Sequence, residues 1–249
     1  EAMSGLLLAP ARRMFDLALG EMLWGRRALF MGLAAGAPIL LAIVARLALA
    51  GGGALVVVNG NRIDSEQVFG TVISLLYLRF IVPALGVFYG TSLVAEEIEE
   101  KTITYLFVRP IARGAIVLGK YLAYLVCVIA LVLPTAALVF VIMVPFANTG
   151  ALLGTFLRDL AVMALGLGAY GAVFLWAGVS FKRPLVGGLI FVFGWESVAL
   201  VLPGYLRRLT IAYYLQATTL GVAVLLAVTA SALFLAMQTI ERREYVLEQ

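Results

Sequence analysis

The side chains that could do chemistry are few in this 249-residue chain, which has no histidine and a single cysteine, Cys127. The absence of histidine removes the commonest metal ligand and the usual general base, and it excludes any Ser-His-Asp or Cys-His arrangement. A single cysteine excludes an internal disulfide. We therefore predict no catalytic residue, no metal site and no cofactor in this chain, and we do not expect it to be an enzyme.

Two glycine patterns come close to nucleotide-binding motifs. Residues 114–121 resemble a P-loop, but they end in Tyr121, where a P-loop needs Ser or Thr to ligate magnesium. Gly166, Gly168 and Gly171 match the dinucleotide fingerprint, but they lie in the middle of an apolar run, where small residues allow helices to pack closely. The same packing interpretation, or a place in a dimer interface, applies to two further pairs: Gly32 with Gly36, and Gly86 with Gly90.

The composition indicates whether the chain folds in water or in a lipid bilayer. Hydrophobic residues make up 63% of the chain and charged residues 13%, whereas a soluble domain carries about 25% charged residues. The net charge is +4, and the basic residues occur in short groups between apolar runs rather than in a patch that could bind nucleic acid. These features predict an all-α integral membrane protein.

Six apolar runs are long enough to cross a bilayer, which takes roughly 20 residues. We predict spans at 28–50, 71–95, 121–146, 156–180, 185–206 and 216–238. With the N-terminus inside, twelve lysines and arginines fall on the inner side and four on the outer side. This bias predicts that both termini are cytoplasmic.

Two further features refine this topology. Residues 4–24 are amphipathic and too polar to span, which favours a helix lying in the inner membrane interface over a disordered tail. Pro83, Pro134 and Pro145 fall within predicted spans, and we expect them to kink the helices.

Charged residues inside spans are costly and therefore informative. Arg79 and Glu196 lie at similar depths, roughly 12–14 Å from the outer face at 1.5 Å per residue. One hypothesis is that they form an ion pair within the bundle or face a polar cavity. The alternative is that the fifth span breaks at Gly194, which would leave Glu196 at the wet outer surface.

The loop at 96–120 carries the densest group of charges. On a helix Glu97 and Lys101 are four residues apart and can pair. Pro110 disfavours a helical conformation at Arg109, so a second short amphipathic piece follows, with Arg113 and Lys120 at its polar edge. From physics alone, this loop is either a charged helical hairpin below the headgroups or a solvated connector.

The pattern of this loop resembles the inner loop of ABC-2 type transporter permeases. The resemblance rests on twelve positions: Glu97, Glu100, Lys101, Thr102, Leu106, Arg109, Pro110, Ile111, Arg113, Ile116, Gly119 and Lys120. The amphipathic N-terminal segment and the six spans fit the same family. Residues 196–215 are similar to the region that precedes its last span.

The resemblance implies a mechanism. In this family the inner loop forms a coupling helix that docks on a separate ATP-binding subunit, and two permease chains assemble with two such subunits. ATP and magnesium are then expected on the partner. The residues to which the resemblance gives this coupling role are Glu96, Glu97, Glu99, Glu100, Lys101, Thr102, Leu106, Arg109, Pro110, Ile111, Arg113 and Lys120.

The function that the resemblance implies is the permease subunit of an ATP-driven transporter, an exporter, in a bacterial or archaeal cytoplasmic membrane. The second permease chain is either identical or related, and an extracytoplasmic partner is a further expectation. Two alternatives stay open. One is an ATP-independent channel or secondary transporter that uses Arg79 and Glu196 as a pathway. The other is a membrane anchor or assembly factor for metalloenzyme maturation or another envelope complex.

Overall fold

The computed structural model describes residues 27–50, 57–58, 61–62, 65–94, 113–201, 205–215 and 219–242. These residues form helices together with one short antiparallel hairpin, β1 (Val57–Val58) and β2 (Asn61–Arg62), in which Val57 lies opposite Arg62. The helices are α1 (Arg27–Ala50), α2 (Ser65–Val94), α3 (Arg113–Met143), α4 (Thr149–Ser180), α5 (184–201), α6 (Ile211–Tyr214) and α7 (Thr219–Arg242). The all-helical membrane fold predicted from the sequence is confirmed in this coarse sense.

Five helices in the described part of the chain are long and apolar enough to cross a membrane: α1, α2, α3, α4 and α7. They match five of the six predicted spans. The predicted span at 185–206 corresponds to α5, whose apolar stretch Pro184–Ala199 is shorter than the others. Its middle part, Ile190–Glu196, has the wider turns of a π-helix. The sixth crossing therefore stays a prediction.

Two helices begin before the predicted spans: α2 starts with a polar turn that hydropathy does not detect, and α3 includes the apolar residues 114–119, which were assigned to the preceding loop. Helix α2 begins at Ser65 rather than at 71, and α3 begins at Arg113 rather than at 121. Pro134 lies inside α3, and the kink expected there stays a prediction. Pro145 does not kink a span, which is a correction, because the backbone is extended there and α3 has already ended at Met143. Proline has no amide hydrogen to continue the ladder, so it separates α3 from α4.

Helix α4 is the centre of the bundle. It packs against α2, α3, α5 and α7, and much of its loop-proximal half is buried. Helix α1, in contrast, packs mainly on α3 and leaves most of its apolar side chains exposed. Exposed leucines and isoleucines are expected on a membrane protein, whose surface faces lipid rather than water.

Two ends of the bundle can be told apart by the chain connections. One end carries Leu93, Lys120 and Ser180, and we call it the loop-side end because α2 and α3 flank residues 95–112 in sequence. The far end carries Glu66 and Asn148, and there the Asn148 amide donates a hydrogen bond to the Glu66 carboxylate. The predicted interfacial helix at 4–24 lies outside the described residues, as does most of the 96–120 loop.

Candidate functional site

The interface between α3 and α4 is built from tyrosines that lie over glycines. The Tyr124 hydroxyl donates to the Leu167 carbonyl at 3.0 Å, and the Tyr121 hydroxyl donates to the Gly168 carbonyl at 3.0 Å. A Cβ added at Gly171 would lie 2.1 Å from Cε1 of Tyr124. Glycine is therefore needed for this ring to lie against α4, and the packing interpretation of the 166–171 pattern is confirmed.

The interface between α2 and α4 brings two backbones together. A Cβ at Gly86 would lie 2.5 Å from Cβ of Tyr170, and a Cβ at Gly178 would lie 2.5 Å from the Thr91 carbonyl oxygen. The packing role inferred for Gly86 is confirmed. By contrast, a Cβ at Gly32 or Gly36 would meet nothing within 4 Å in the described part of the chain, so those two glycines have no packing role within it.

At the loop-side end a lysine joins α2 to α3. The Lys120 ammonium donates a hydrogen bond to the Leu93 carbonyl at 2.8 Å, although the side chain is only 7% exposed. A charge-assisted hydrogen bond offsets the cost of burying the ammonium group. The expectation that Lys120 lies at a polar edge is wrong. Lys120 is buried within continuous helix, and the apolar neighbours Ile116 and Val117 are buried with it.

The loop-side ends of α2, α3 and α4 are therefore connected in series. Lys120 links α3 to α2, and the contact between Thr91 and Gly178 links α2 to α4. Neither link can be lengthened easily, since one is a charge-assisted hydrogen bond and the other is backbone packing. We call this connected set the loop-side clamp, defined by Thr91, Leu93, Lys120 and Gly178.

The structure describes little of the predicted coupling loop itself. Arg113 is the first described residue of α3, and nothing is described of its side chain. Ten residues of the coupling set lie outside the described residues and stay predictions: Glu96, Glu97, Glu99, Glu100, Lys101, Thr102, Leu106, Arg109, Pro110 and Ile111. What the structure adds is the clamp between the helices that flank residues 95–112 in sequence.

A second polar group lies deep in the bundle around Glu196, which is 3% exposed. Its carboxylate accepts a hydrogen bond from the Tyr170 hydroxyl at 2.5 Å and another from the Ile211 amide at 2.9 Å. The Ala212 amide is 3.4 Å from the same carboxylate oxygen. Glu196 thus binds the first turn of α6, whose N-cap, Thr210, accepts from the Tyr213 amide.

This arrangement keeps a short segment inside the bundle. Thr210, Ile211 and Leu215 are buried, and a Cβ at Gly166, halfway along α4, would lie 2.8 Å from Leu215. Irregular backbone is tolerated at membrane depth only where protein groups satisfy its amides. Glu196 satisfies them from α5.

Both hypotheses for Glu196 need correction. Arg79 is exposed and takes no part in the hydrogen bonds of Glu196, so the structure does not bring the two together. Glu196 is not at a wet outer surface either, because α5 continues through Gly194 to residue 201 and buries the carboxylate. Similar depth along two spans does not make a pair, since the two residues must also lie on facing sides of their helices.

Sequence reasoning missed the partner of Glu196. Tyr170 lies within the glycine pattern that was interpreted as packing alone, yet a tyrosine in mid-span needs an acceptor for its hydroxyl. The signal was available as a tyrosine in one span and a glutamate in the next. Lys120 offered a similar signal, as a lone cation within an otherwise apolar stretch.

Comparison with protein families identifies the family to which this chain belongs. A family model described as ABC-2 family transporter protein matches residues 57–233, more than two thirds of the chain. The chain belongs to the ABC-2 transporter family. No curated protein matches it.

Family membership covers the elements described above. The matched region of this ABC-2 protein begins at β1 and ends within α7, so it contains the loop-side clamp, residues 95–112 and the Glu196 group. ABC-2 proteins are the membrane component of ABC transporters, which implies association with an ATP-binding subunit. The multi-pass membrane location predicted from composition agrees with this membership.

Proposed function

We propose that this chain is the membrane-spanning subunit of an ATP-driven exporter. Two permease chains, identical or related, work with two copies of a separate ATP-binding subunit, which holds ATP and magnesium. The assembly lies in the cytoplasmic membrane of a bacterium or archaeon, with six crossings and both termini inside. The 95–112 loop faces the cytoplasm and docks on the ATP-binding subunit.

The observation that carries the proposal is the loop-side clamp in a member of the ABC-2 family. Helices α2 and α3 flank residues 95–112 in sequence, and Leu93 of α2 is hydrogen-bonded to Lys120 of α3. A displacement of the loop is therefore passed to α2 and α3 together, and through Gly178 to α4. ATP drives such a displacement only if it binds one conformation of the assembly better than the other.

The surface of α1 supports the presence of a second permease chain. Most of its apolar side chains are exposed, and Gly32 and Gly36 present a flat stripe four residues apart. Small residues at this spacing let helices of two chains approach closely in a membrane.

Of the two alternatives, the ATP-independent transporter has less support. It needs charged or protonatable groups that line a path, and Arg79 and Glu196 were the candidates. The Glu196 carboxylate is instead buried and occupied by Tyr170 and the amides of α6, while Arg79 is exposed elsewhere. The anchor alternative predicts recruitment without transport, and the experiment below separates it from the proposal.

The test is purification of the chain from its native membrane through an affinity tag. We expect an ATP-binding subunit in the complex, with vanadate-sensitive ATP hydrolysis. Glu100→Lys and Arg109→Glu should release that subunit, whereas Arg62→Glu, in the hairpin outside the 95–112 loop, should retain it. An intact chain that carries no ATP-hydrolysing subunit would favour the anchor. Retention by both loop variants would contradict docking through the loop.

A further inference from the structure

A cavity of about 500 Å³ lies between α4 and α5, where the chain turns from one helix into the next. Its wall is almost wholly apolar and includes the aromatic side chains of Trp176, Phe181 and Phe191. The Trp176 and Phe181 rings pack edge to face, with centroids 6.2 Å apart. Volumes of roughly 300–1,000 Å³ with such walls are typical of sites for small apolar ligands.

The mouth of this cavity carries two adjacent cations, Lys182 and Arg183. Both side chains are exposed, and neither forms an ion pair with any carboxylate that the structure describes. They lie in the turn between two apolar helices, and such turns meet lipid headgroups where the helices on either side cross a bilayer. Cationic side chains at that level attract anionic headgroups, and tryptophan favours the same interface.

Apolar wall and cationic mouth together match one kind of ligand. An acyl chain fits the wall and would bury apolar surface there, while a phosphate at the head of the same molecule would reach the two cations. A soluble anion would leave the apolar part empty, and a hydrocarbon would leave the cations unused. A ligand with both parts is already present at high concentration in the bilayer beside the cavity.

We propose that this cavity binds an anionic phospholipid from the leaflet that the 181–183 turn faces. Its phosphate lies between Lys182 and Arg183, and one acyl chain lies along Trp176 and Phe191. Gly187 leaves room for the chain, since an added Cβ there would meet nothing within 4 Å. The site is independent of the ATP-binding subunit, and it links the α4–α5 turn to the lipid composition of the membrane.

The experiment uses Trp176 as a reporter in the full chain. The chain has three tryptophans, and the substitutions Trp24→Phe and Trp195→Phe leave Trp176 as the single one. The protein is placed in phosphatidylcholine vesicles that contain increasing fractions of acyl-brominated phosphatidylglycerol or acyl-brominated phosphatidylcholine. Because each cation near a membrane surface favours an anionic lipid by about fivefold, phosphatidylglycerol should quench Trp176 at a fraction at least fivefold lower.

Two variants test the two halves of the site. Lys182→Gln with Arg183→Gln should bring the ratio between the two lipids close to one, because quenching then depends on the acyl chain alone. Gly187→Leu should reduce the quenching of Trp176 by both lipids, since its side chain fills the open space. A chain that retains only Trp195, which is on α5 but does not line the cavity, is the matched control and should show no preference.

Equal quenching of Trp176 by the two lipids would overturn the proposal. So would a preference that survives replacement of both cations, or an equal preference at Trp195. Size-exclusion profiles and circular dichroism establish that each variant is folded before its quenching is compared.

Discussion

The Tyr170 hydroxyl lies 2.5 Å from the Glu196 carboxylate and joins the central helix α4 to α5. The same carboxylate holds the first amides of α6. One buried acid therefore links three elements, and its removal leaves a hydroxyl and an amide without an acceptor in an apolar surrounding. Such groups are costly because no water can replace the lost partner.

The first prediction concerns this link. In a double-mutant cycle of Tyr170→Phe and Glu196→Gln, we expect a coupling energy of about 0.5–3 kcal/mol, the range for residues within one hydrogen-bond network. The free energy of unfolding is measured by denaturant titration in detergent micelles.

The matched control for this cycle is the pair of Arg79 and Glu196, which their similar predicted depths in the membrane suggested. Arg79→Gln combined with Glu196→Gln should show a coupling near zero, because the two side chains do not meet. The reversal of both charges, Arg79→Glu with Glu196→Arg, should not rescue the defect of Glu196→Arg alone. Rescue would mean that Arg79 does reach Glu196.

The second prediction compares one substitution at two places on α4. Gly171→Ala puts a methyl group into the buried ring of Tyr124 and should destabilise the protein by about 2–3 kcal/mol, as overpacking does. Gly154→Ala meets nothing within 4 Å and should stabilise it by up to about 1 kcal/mol through helix propensity. Thermal unfolding in one detergent gives both values, and changes of the same sign would contradict the described packing.

The third prediction tests the loop-side clamp. Lys120→Met keeps the apolar stem but removes the donor to the Leu93 carbonyl, which should cost about 1.5–3 kcal/mol. Lys182→Met, at an exposed position on the same end of the bundle, should change stability by less than about 0.5 kcal/mol. The comparison is made in neutral detergent without anionic lipid. Equal stability of the two variants would show that the clamp is not needed.

The fourth prediction concerns orientation. In a Cys127→Ala background, Gly150→Cys at the far end and Lys182→Cys at the loop-side end are treated with a membrane-impermeant maleimide in intact cells. The charge bias predicts that position 150 is labelled at once and position 182 only after the membrane is permeabilised. The reverse pattern would place the 95–112 loop outside the cell.

Much of the fold follows from apolar run length, because a bilayer requires about 20 such residues per crossing. That rule located α1, α2, α3, α4 and α7, and it erred at two helix starts. Helix α2 begins at Ser65, in a polar turn that the rule does not detect, and α3 begins at Arg113, because the apolar residues 114–119 were assigned to the preceding loop. The glycine pattern in α4 was also interpreted correctly, since it depends on local spacing alone.

The polar contacts were harder to predict, because they depend on which faces of two helices meet. Arg79 and Glu196 have similar depths but different surroundings. Tyr170 is the partner of Glu196 because it lies on the side of α4 that meets this carboxylate. The burial of Lys120 has the same cause. The position of Lys120 next to a charged loop predicts an exposed side chain. The Leu93 carbonyl faces its ammonium group, however, and this hydrogen bond makes the burial of Lys120 favourable.

The central claim is that an ATP-binding subunit acts on this chain through the 95–112 loop. The most direct measurement replaces Tyr105 with a photo-crosslinking phenylalanine derivative in native membranes and identifies the adduct by mass spectrometry. The same derivative at Phe146, which is 93% exposed at the far end, is the control. We predict an adduct between position 105 and a polypeptide with a nucleotide-binding P-loop, and none from position 146. An abundant, inserted chain whose position 105 captures no such polypeptide, or whose position 146 does, would contradict the account.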